Sequence, residues 1–280
     1  MRYGFVFPGG DVRAAVDCAV AAEQSGWDGF FVWDAAWGVD PWVTLAACAM
    51  RTEHIRLGTM LTPVSRRRPW KLASETATLD RLSGGRVILA VGLGALDSGF
   101  EAFGEVTDRR TRAALLDEGL DIVTGLWRGQ PFSYAGAHYR VQPMTRIVCP
   151  PPVQQPRIPI WVVGAWPSER SMGRVLRYDG LLPTLIKDGS ATAQPSPDDL
   201  RAMRDYVEQR RTEQTPFDIV LEGEIPDNDP ARIAASIRPY AEAGATWWLE
   251  SMWSAPDLST EAGQAPVLTR VRRGPPRLAN

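Results

Sequence analysis

Histidine and cysteine are scarce in this 280-residue chain. There are two histidines, His54 and His138, and three cysteines, Cys18, Cys48 and Cys149, all far apart. An odd number of scattered cysteines forms no disulfide framework, and no Cys/His spacing matches a zinc site. An acidic loop of the kind that holds calcium or magnesium is also missing, so no metal is expected. Positive charge is not in surplus: the net charge is −2, which excludes the electrostatic footprint of a nucleic-acid-binding protein. Long hydrophobic runs are absent as well. The apolar opening "MRYGFVFPGG" is too short for a signal-peptide core or a membrane span, so the expected address is the cytoplasm.

What is present is a regular alternation. Tyr3–Phe7 is a short apolar run ended by Pro8-Gly9-Gly10, and Asp11 is placed to cap a helix whose apolar residues recur at helical spacing. Strands "GFFVW", "IRLGTML" and Val87–Val91 follow, separated by helices at Pro41–Met50 and Pro69–Leu82. A long helix then runs from about Asp108 to Trp127. The rhythm breaks at "PFSYAGAHYRV", which reads as a small hairpin, and at the proline-rich "CPPPVQQPRIP". It resumes with strands Ile160–Val163, "GLL", "DIVLEG" and "TWWLE" and the helices between them. Eight alternations predict a (β/α)8 TIM barrel, one domain over residues 1–280, with insertions: the hairpin after helix four and a polar loop, 183–197, after strand six. Only a tail is expected after the eighth strand. A doubly wound open sheet is the rival, but "FPGGD" holds no G-x-G-x-x-G and no helix opens directly after "GLGALDSG".

The segment "EAGATWWLESMW" sets the expected site. Side chains alternate along a strand, so Thr246, Trp248 and Glu250 share one side and Trp247 and Leu249 the other. Assigning the apolar pair to the helices sends Glu250 into the barrel mouth, where active sites of this fold lie. Glu222 ends the seventh strand and Asp34 the second. Asp34, Glu222 and Glu250 are therefore candidate catalytic acids, the alternative being satisfied polar residues of a barrel interior. Trp33, Trp37, Trp166, Trp248 and Trp253 are candidate walls for a small apolar substrate. A ring of acids suits a neutral or cationic substrate.

The stretch "TPVSRRRPWKLASETATLDRLSGGRVILAVGLGA" resembles the bacterial luciferase-like superfamily of flavin- and deazaflavin-dependent oxidoreductases. The match lies in Leu57-Gly58-Thr59, Pro69, Leu79-Asp80, Leu82-Ser83 and Gly85-Arg86, with "AAEQSGWDGFFVWD", "FEAFGE" and "PIWVVGAWPSERSM" in support. The resemblance implies a barrel with a cofactor laid across the strand ends. It places the central ring against Met60–Leu61, often joined by a non-proline cis peptide, with Gly92, Leu93 and Gly94 nearby. It places the phosphate end at Gly164, Ala165, Trp166, Ser168, Arg170 and Ser171, where a helix N-terminus favours an anion. The run Arg66-Arg67-Arg68 reads as a surface patch or as a clamp for a cofactor tail or an NAD(P)H phosphate.

One departure bears on chemistry. Relatives often carry Asp-His after the second strand, whereas here Ala35 follows Asp34. The expected activity is that of a luciferase-like monooxygenase using reduced FMN, supplied by NAD(P)H or a flavin reductase. The alternatives are a coenzyme F420-dependent oxidoreductase, a non-catalytic flavin-binding protein, and a hydrolase or lyase built on the three acids. The resemblance further implies a homodimer, with Leu45, Cys48, Leu72, Thr76 and Leu79 as candidate seam residues.

Overall fold

A computed structural model describes residues 1–144, 149–187, 190–192, 195–225, 229–254 and 260–276. Eight strands, β1 (Arg2–Phe7), β2 (Gly29–Val32), β3 (Arg56–Thr59), β4 (Val87–Gly92), β5 (Ile160–Trp166), β6 (Gly180–Lys187), β7 (Asp218–Gly223) and β8 (Trp247–Ser251), pair in parallel in chain order. Pairing of β8 with β1, Phe5 opposite Glu250, closes the barrel. Helices α1 (Val12–Gln24), α2 (Pro41–Ala49), α3 (Pro69–Leu82), α4 (Arg109–Arg128), α5 (Glu169–Val175), α6 (Pro197–Arg210), α7 (Pro230–Glu242) and α8 (Glu261–Arg272) surround it. Asp11, Asp40 and Asp108 accept hydrogen bonds from free N–H groups in the first turns of α1, α2 and α4. Proline opens α2, α3 and α6, where a missing N–H costs nothing.

Two apolar layers hold the barrel. The larger lies between strands and helices. The inner one is a plug built around Phe31, Trp161 and Trp247: Phe31 stacks on Trp161 at 5.5 Å and Trp247 meets Trp161 edge-on at 5.3 Å. Such ring pairs add roughly 0.5–1.5 kcal/mol beyond area burial. Glycine makes room for them. A Cβ on Gly58 would lie 2.5 Å from the Ile88 carbonyl oxygen and 3.0 Å from the Phe31 ring.

This plug reverses the expected parity of β8. Trp247 and Leu249 point into the barrel, and Trp248 and Glu250 point out toward the helices. The barrel axis is as dry as the helix interface here, so hydrophobicity does not tell the two faces apart. Neighbouring strands agree: Val220 and Glu222 pair with Trp247 and Leu249 and share their inward side.

Three further expectations change. The chain after β8 is not only a tail, because α8 docks on α1, with Trp27 Nε1 donating to the Val271 carbonyl at 2.9 Å. The sixth strand runs past "GLL" to Lys187, and Ser190–Thr192 pairs antiparallel with it; residues 188–189 and 193–194 of the expected loop lie outside the described residues. Leu45, Cys48, Leu72, Thr76 and Leu79 are buried within the chain and form no outer seam. The hairpin is as expected: Tyr134–Ala135 pairs with Arg140–Val141, and the Glu118 carboxylate accepts N–H bonds from Ala137, His138 and Tyr139 across its turn. No described helix is long and apolar enough to cross a membrane.

Candidate active site

A cavity of about 540 Å³ opens at the C-terminal ends of the strands. Its floor is Met60, Leu61, Gly92 and Val163, and the Met60–Leu61 bond is cis and non-proline. Gly92 lets the floor side chains close together: a Cβ there would lie 2.9 Å from Val163 Cγ2 and 3.1 Å from Leu61. Leu93, Gly94, Ala165 and Ser171 also line the space. The floor is thus a close-packed apolar surface on which a flat ring system can lie.

Cations gather on one side. Arg109 and Arg112, one turn apart at the start of α4, and Arg174 from α5 line the cavity over β4 and β5. Arg174 is held by Asp117 through two bonds of 2.5 and 2.9 Å. Arg112 donates to the Leu93 and Gly94 carbonyls at 2.8 and 3.1 Å and lies over the Phe100 ring, while its buried Nε has no partner. An unpartnered buried N–H on a guanidinium at a cavity wall suits an anionic oxygen. Sequence reading missed these arginines. The only signal was their i, i+3 spacing directly after the loop that follows β4.

Acids gather on the other side. Glu222, at the inward end of β7, accepts a hydrogen bond from Trp253 Nε1 at 2.5 Å. Burial pushes its carboxyl above the ordinary range, against the pull of the Trp253 and Ser251 donors. Asp34 is 2% exposed. It is raised by desolvation, opposed by Arg67 at 2.9 Å and Arg66 at 3.5 Å. Asp34 lines the cavity with its Oδ2 buried. Trp33 and Trp253 meet edge-on at 6.3 Å and form the wall between the two acids.

Several expected site residues stand elsewhere. Glu250 faces α8, where Arg270 (3.3 Å), the Ile225 N–H (3.1 Å) and the Trp248 indole (3.3 Å) satisfy it, so it does not reach the mouth. Trp248 packs toward Tyr240 of α7 for the same reason. Trp37 is 83% exposed on the loop before α2, beside the cavity rather than in it. Of the expected phosphate end, Ser168 caps the Ser171 N–H, Ser171 Oγ accepts from Ala165, and Trp166 packs on Tyr206. Gly164 faces Leu181, Met172 and Val175, and Arg170 is exposed away from the lining. The basic run is used internally: Arg66 and Arg67 bind Asp34, and Arg68 lies over Trp70. Cys18 and Cys48 are buried, with thiols pushed up to about 12, and take no nucleophilic role. No cluster of metal-ligating side chains occurs among the described residues.

A parallel barrel whose mouth has an apolar floor, a cationic flank and an acidic flank suits an oxidoreductase, the class that sequence comparison gives. The luciferase-like monooxygenase family matches residues 4–241, and the chain belongs to that family. It is 30% identical over 272 residues to an F420-dependent glucose-6-phosphate dehydrogenase of Nakamurella multipartita, spanning 88% of this chain and 75% of that protein. It is also 38% identical over 133 residues to a putative coenzyme F420-dependent oxidoreductase of Mycobacterium tuberculosis, 46% of this chain and 36% of that one. Among solved structures, the coenzyme F420-dependent tetrahydromethanopterin reductase of Methanopyrus kandleri superposes with a TM-score of 0.74 at 16% identity, covering 95% and 97% of the two chains. The monooxygenase RslO1 of Streptomyces bottropensis superposes with a TM-score of 0.66 at 22% identity, covering 98% and 84%. Both structures share the fold.

Proposed function

We propose that this chain is a cytoplasmic coenzyme F420-dependent oxidoreductase acting on a small organic substrate. The observation that carries this reading is the similarity to F420-dependent dehydrogenases over 88% of the chain. It reverses the order drawn from the sequence, in which the missing histidine put FMN first. Ala35 removes one side chain beside Asp34 but leaves the cavity floor and the arginines intact.

The residues present fit such a cofactor. The apolar floor of Met60, Leu61 and Val163 would take a flat tricyclic ring, and the orphaned Arg112 Nε, with Arg109 and Arg174, would hold the anionic tail. When bound, the deazaflavin supplies a site that takes or gives a hydride. The chain's own groups do the rest. Met60 and Leu61 would support the ring, and Trp33 and Trp253 supply an apolar rim beside it. Glu222, whose proton affinity is raised by burial, would hold or release a proton at its carboxylate beside a bound substrate.

Parallel spectroscopic titrations with F420 and FMN test the reading. F420 is expected to bind at least about tenfold more tightly, roughly 1.4 kcal/mol. FMN binding as tightly or more tightly overturns it and restores the monooxygenase alternative.

A further inference from the structure

Charge at the barrel mouth is divided by position. Arg109, Arg112 and Arg174 stand over β4 and β5, while Asp34 and Glu222 end β2 and β7 on the other side of the axis. The two arginines on the acidic side, Arg66 and Arg67, are already engaged by Asp34. Burial dominates the acidity of Glu222, and the Trp253 indole and the Ser251 hydroxyl beside it are neutral donors that oppose it. Asp34 adds a second carboxylate at the cavity, offset by Arg66 and Arg67. Beside Glu222 the cavity continues into a recess of about 250 Å³ walled by Leu182, Pro183 and Val220. The half-exposed Trp33–Trp253 pair borders the remaining side.

We propose that this site takes a small aliphatic or alicyclic alcohol or amine, uncharged or cationic, which donates a hydrogen bond to Glu222 and lays its hydrocarbon body in the adjoining recess. The same charge pattern disfavours a phosphorylated sugar on the Glu222 side. The assignment deepens the F420 reading and rests on it for one point, that the arginine side belongs to the cofactor. A carboxylate held by neutral donors in a dry wall strengthens a bond from an O–H or N–H donor. Indole faces beside it favour a cation. A phosphate beside Glu222 would meet a carboxylate, while Arg66 and Arg67 pair with Asp34 and do not line this cavity; like-charge contact is strongly unfavourable. The substrate thus differs in charge from the one named for the Nakamurella relative.

Quenching of tryptophan fluorescence in the full chain reads binding without turnover. The probes are cyclohexanol, cyclohexylamine, cyclohexanecarboxylate and glucose 6-phosphate, titrated with and without F420. Cyclohexylamine is expected to bind at least about tenfold more tightly than cyclohexanecarboxylate. Glu222→Gln, which keeps the shape, should bring that ratio to within about twofold. Binding of the carboxylate or of glucose 6-phosphate as tight as that of the amine overturns the proposal. An unchanged ratio in Glu222→Gln does the same. If F420 fails to bind but the amine preference persists and responds to Glu222→Gln, the F420 reading falls and the substrate class stands.

Discussion

Glu250 and Arg270 meet outside the barrel wall, Oε1 to Nε 3.3 Å, with the carboxylate side chain 1% exposed and the guanidinium 13%. The pair ties the end of β8 to α8, which in turn rests on α1 through Trp27 and Val271. Glu250→Gln should therefore act on stability. Breaking a buried pair from one side costs about 3–5 kcal/mol, and the lower end applies because Arg270 keeps its bond to the Gly274 carbonyl. Cofactor affinity should stay within about twofold. Denaturant melts and a cofactor titration of the same variant check this, and a large loss of affinity with unchanged stability would return Glu250 to the mouth.

Glu222 should show the opposite behaviour. Burial raises its folded-state pKa above the unfolded value of about 4.5. The folded state then holds the proton more tightly. That stabilisation is fully present below about pH 4.5 and is lost as the pH rises through the folded pKa. Glu222→Gln removes the titrating group, so the variant should melt a few degrees above the parent at pH 7 and level with it below pH 4.5. Melting curves of both proteins across this range decide the matter. A gap that does not change with pH would mean that Glu222 is not desolvated.

These two acids show how far the sequence could be read. Strand number, barrel closure and the place of Glu222 followed from alternation, because every strand is bounded by turn residues or a cap. The inward face of β8 did not follow. Trp247 and Trp248 are equally hydrophobic, and only the plug formed with Phe31 and Trp161 selects Trp247 for the axis. Helix α8 was missed because Gly263 and Pro266 interrupt its pattern. The arginines of α4 were missed because i, i+3 spacing on a charged helix usually marks a solvated face. Their role depends on the loop after β4, which brings the Leu93 and Gly94 carbonyls to Arg112.

The anionic end of the cofactor is assigned to α4 rather than to the start of α5. Arg112→Met and Arg109→Ala should each weaken F420 binding by about tenfold or more, in line with roughly 1.5–3 kcal/mol for a hydrogen bond to a charged group. Arg170→Ala should change it by less than about twofold, since Arg170 is exposed away from the cavity. Titrations at low and high salt add a second readout, because the Arg109 contribution at the exposed rim should fade as salt screens it. The reverse order, with Arg170 dominant, would move the anion back to α5.

Association is proposed through the outer face of α2. The inward residues first considered for a seam are buried, but Val43, Ala46, Ala47 and Met50 follow one another at helical spacing on the opposite side. Val43 is 69% exposed and Met50 68%, so two large apolar side chains face solvent one above the other. A two-fold axis near this helix would bury them against their own copies, the self-complementary arrangement of a symmetric dimer. Substitution tests the face directly, since Val43→Glu combined with Met50→Glu puts like charges opposite each other across the axis and touches nothing inside the barrel. The parent is expected to scatter light as a dimer at micromolar concentration and the double variant as a monomer, with unchanged far-UV circular dichroism. A monomeric parent would remove the proposal, and a dimeric double variant would place the interface on another surface.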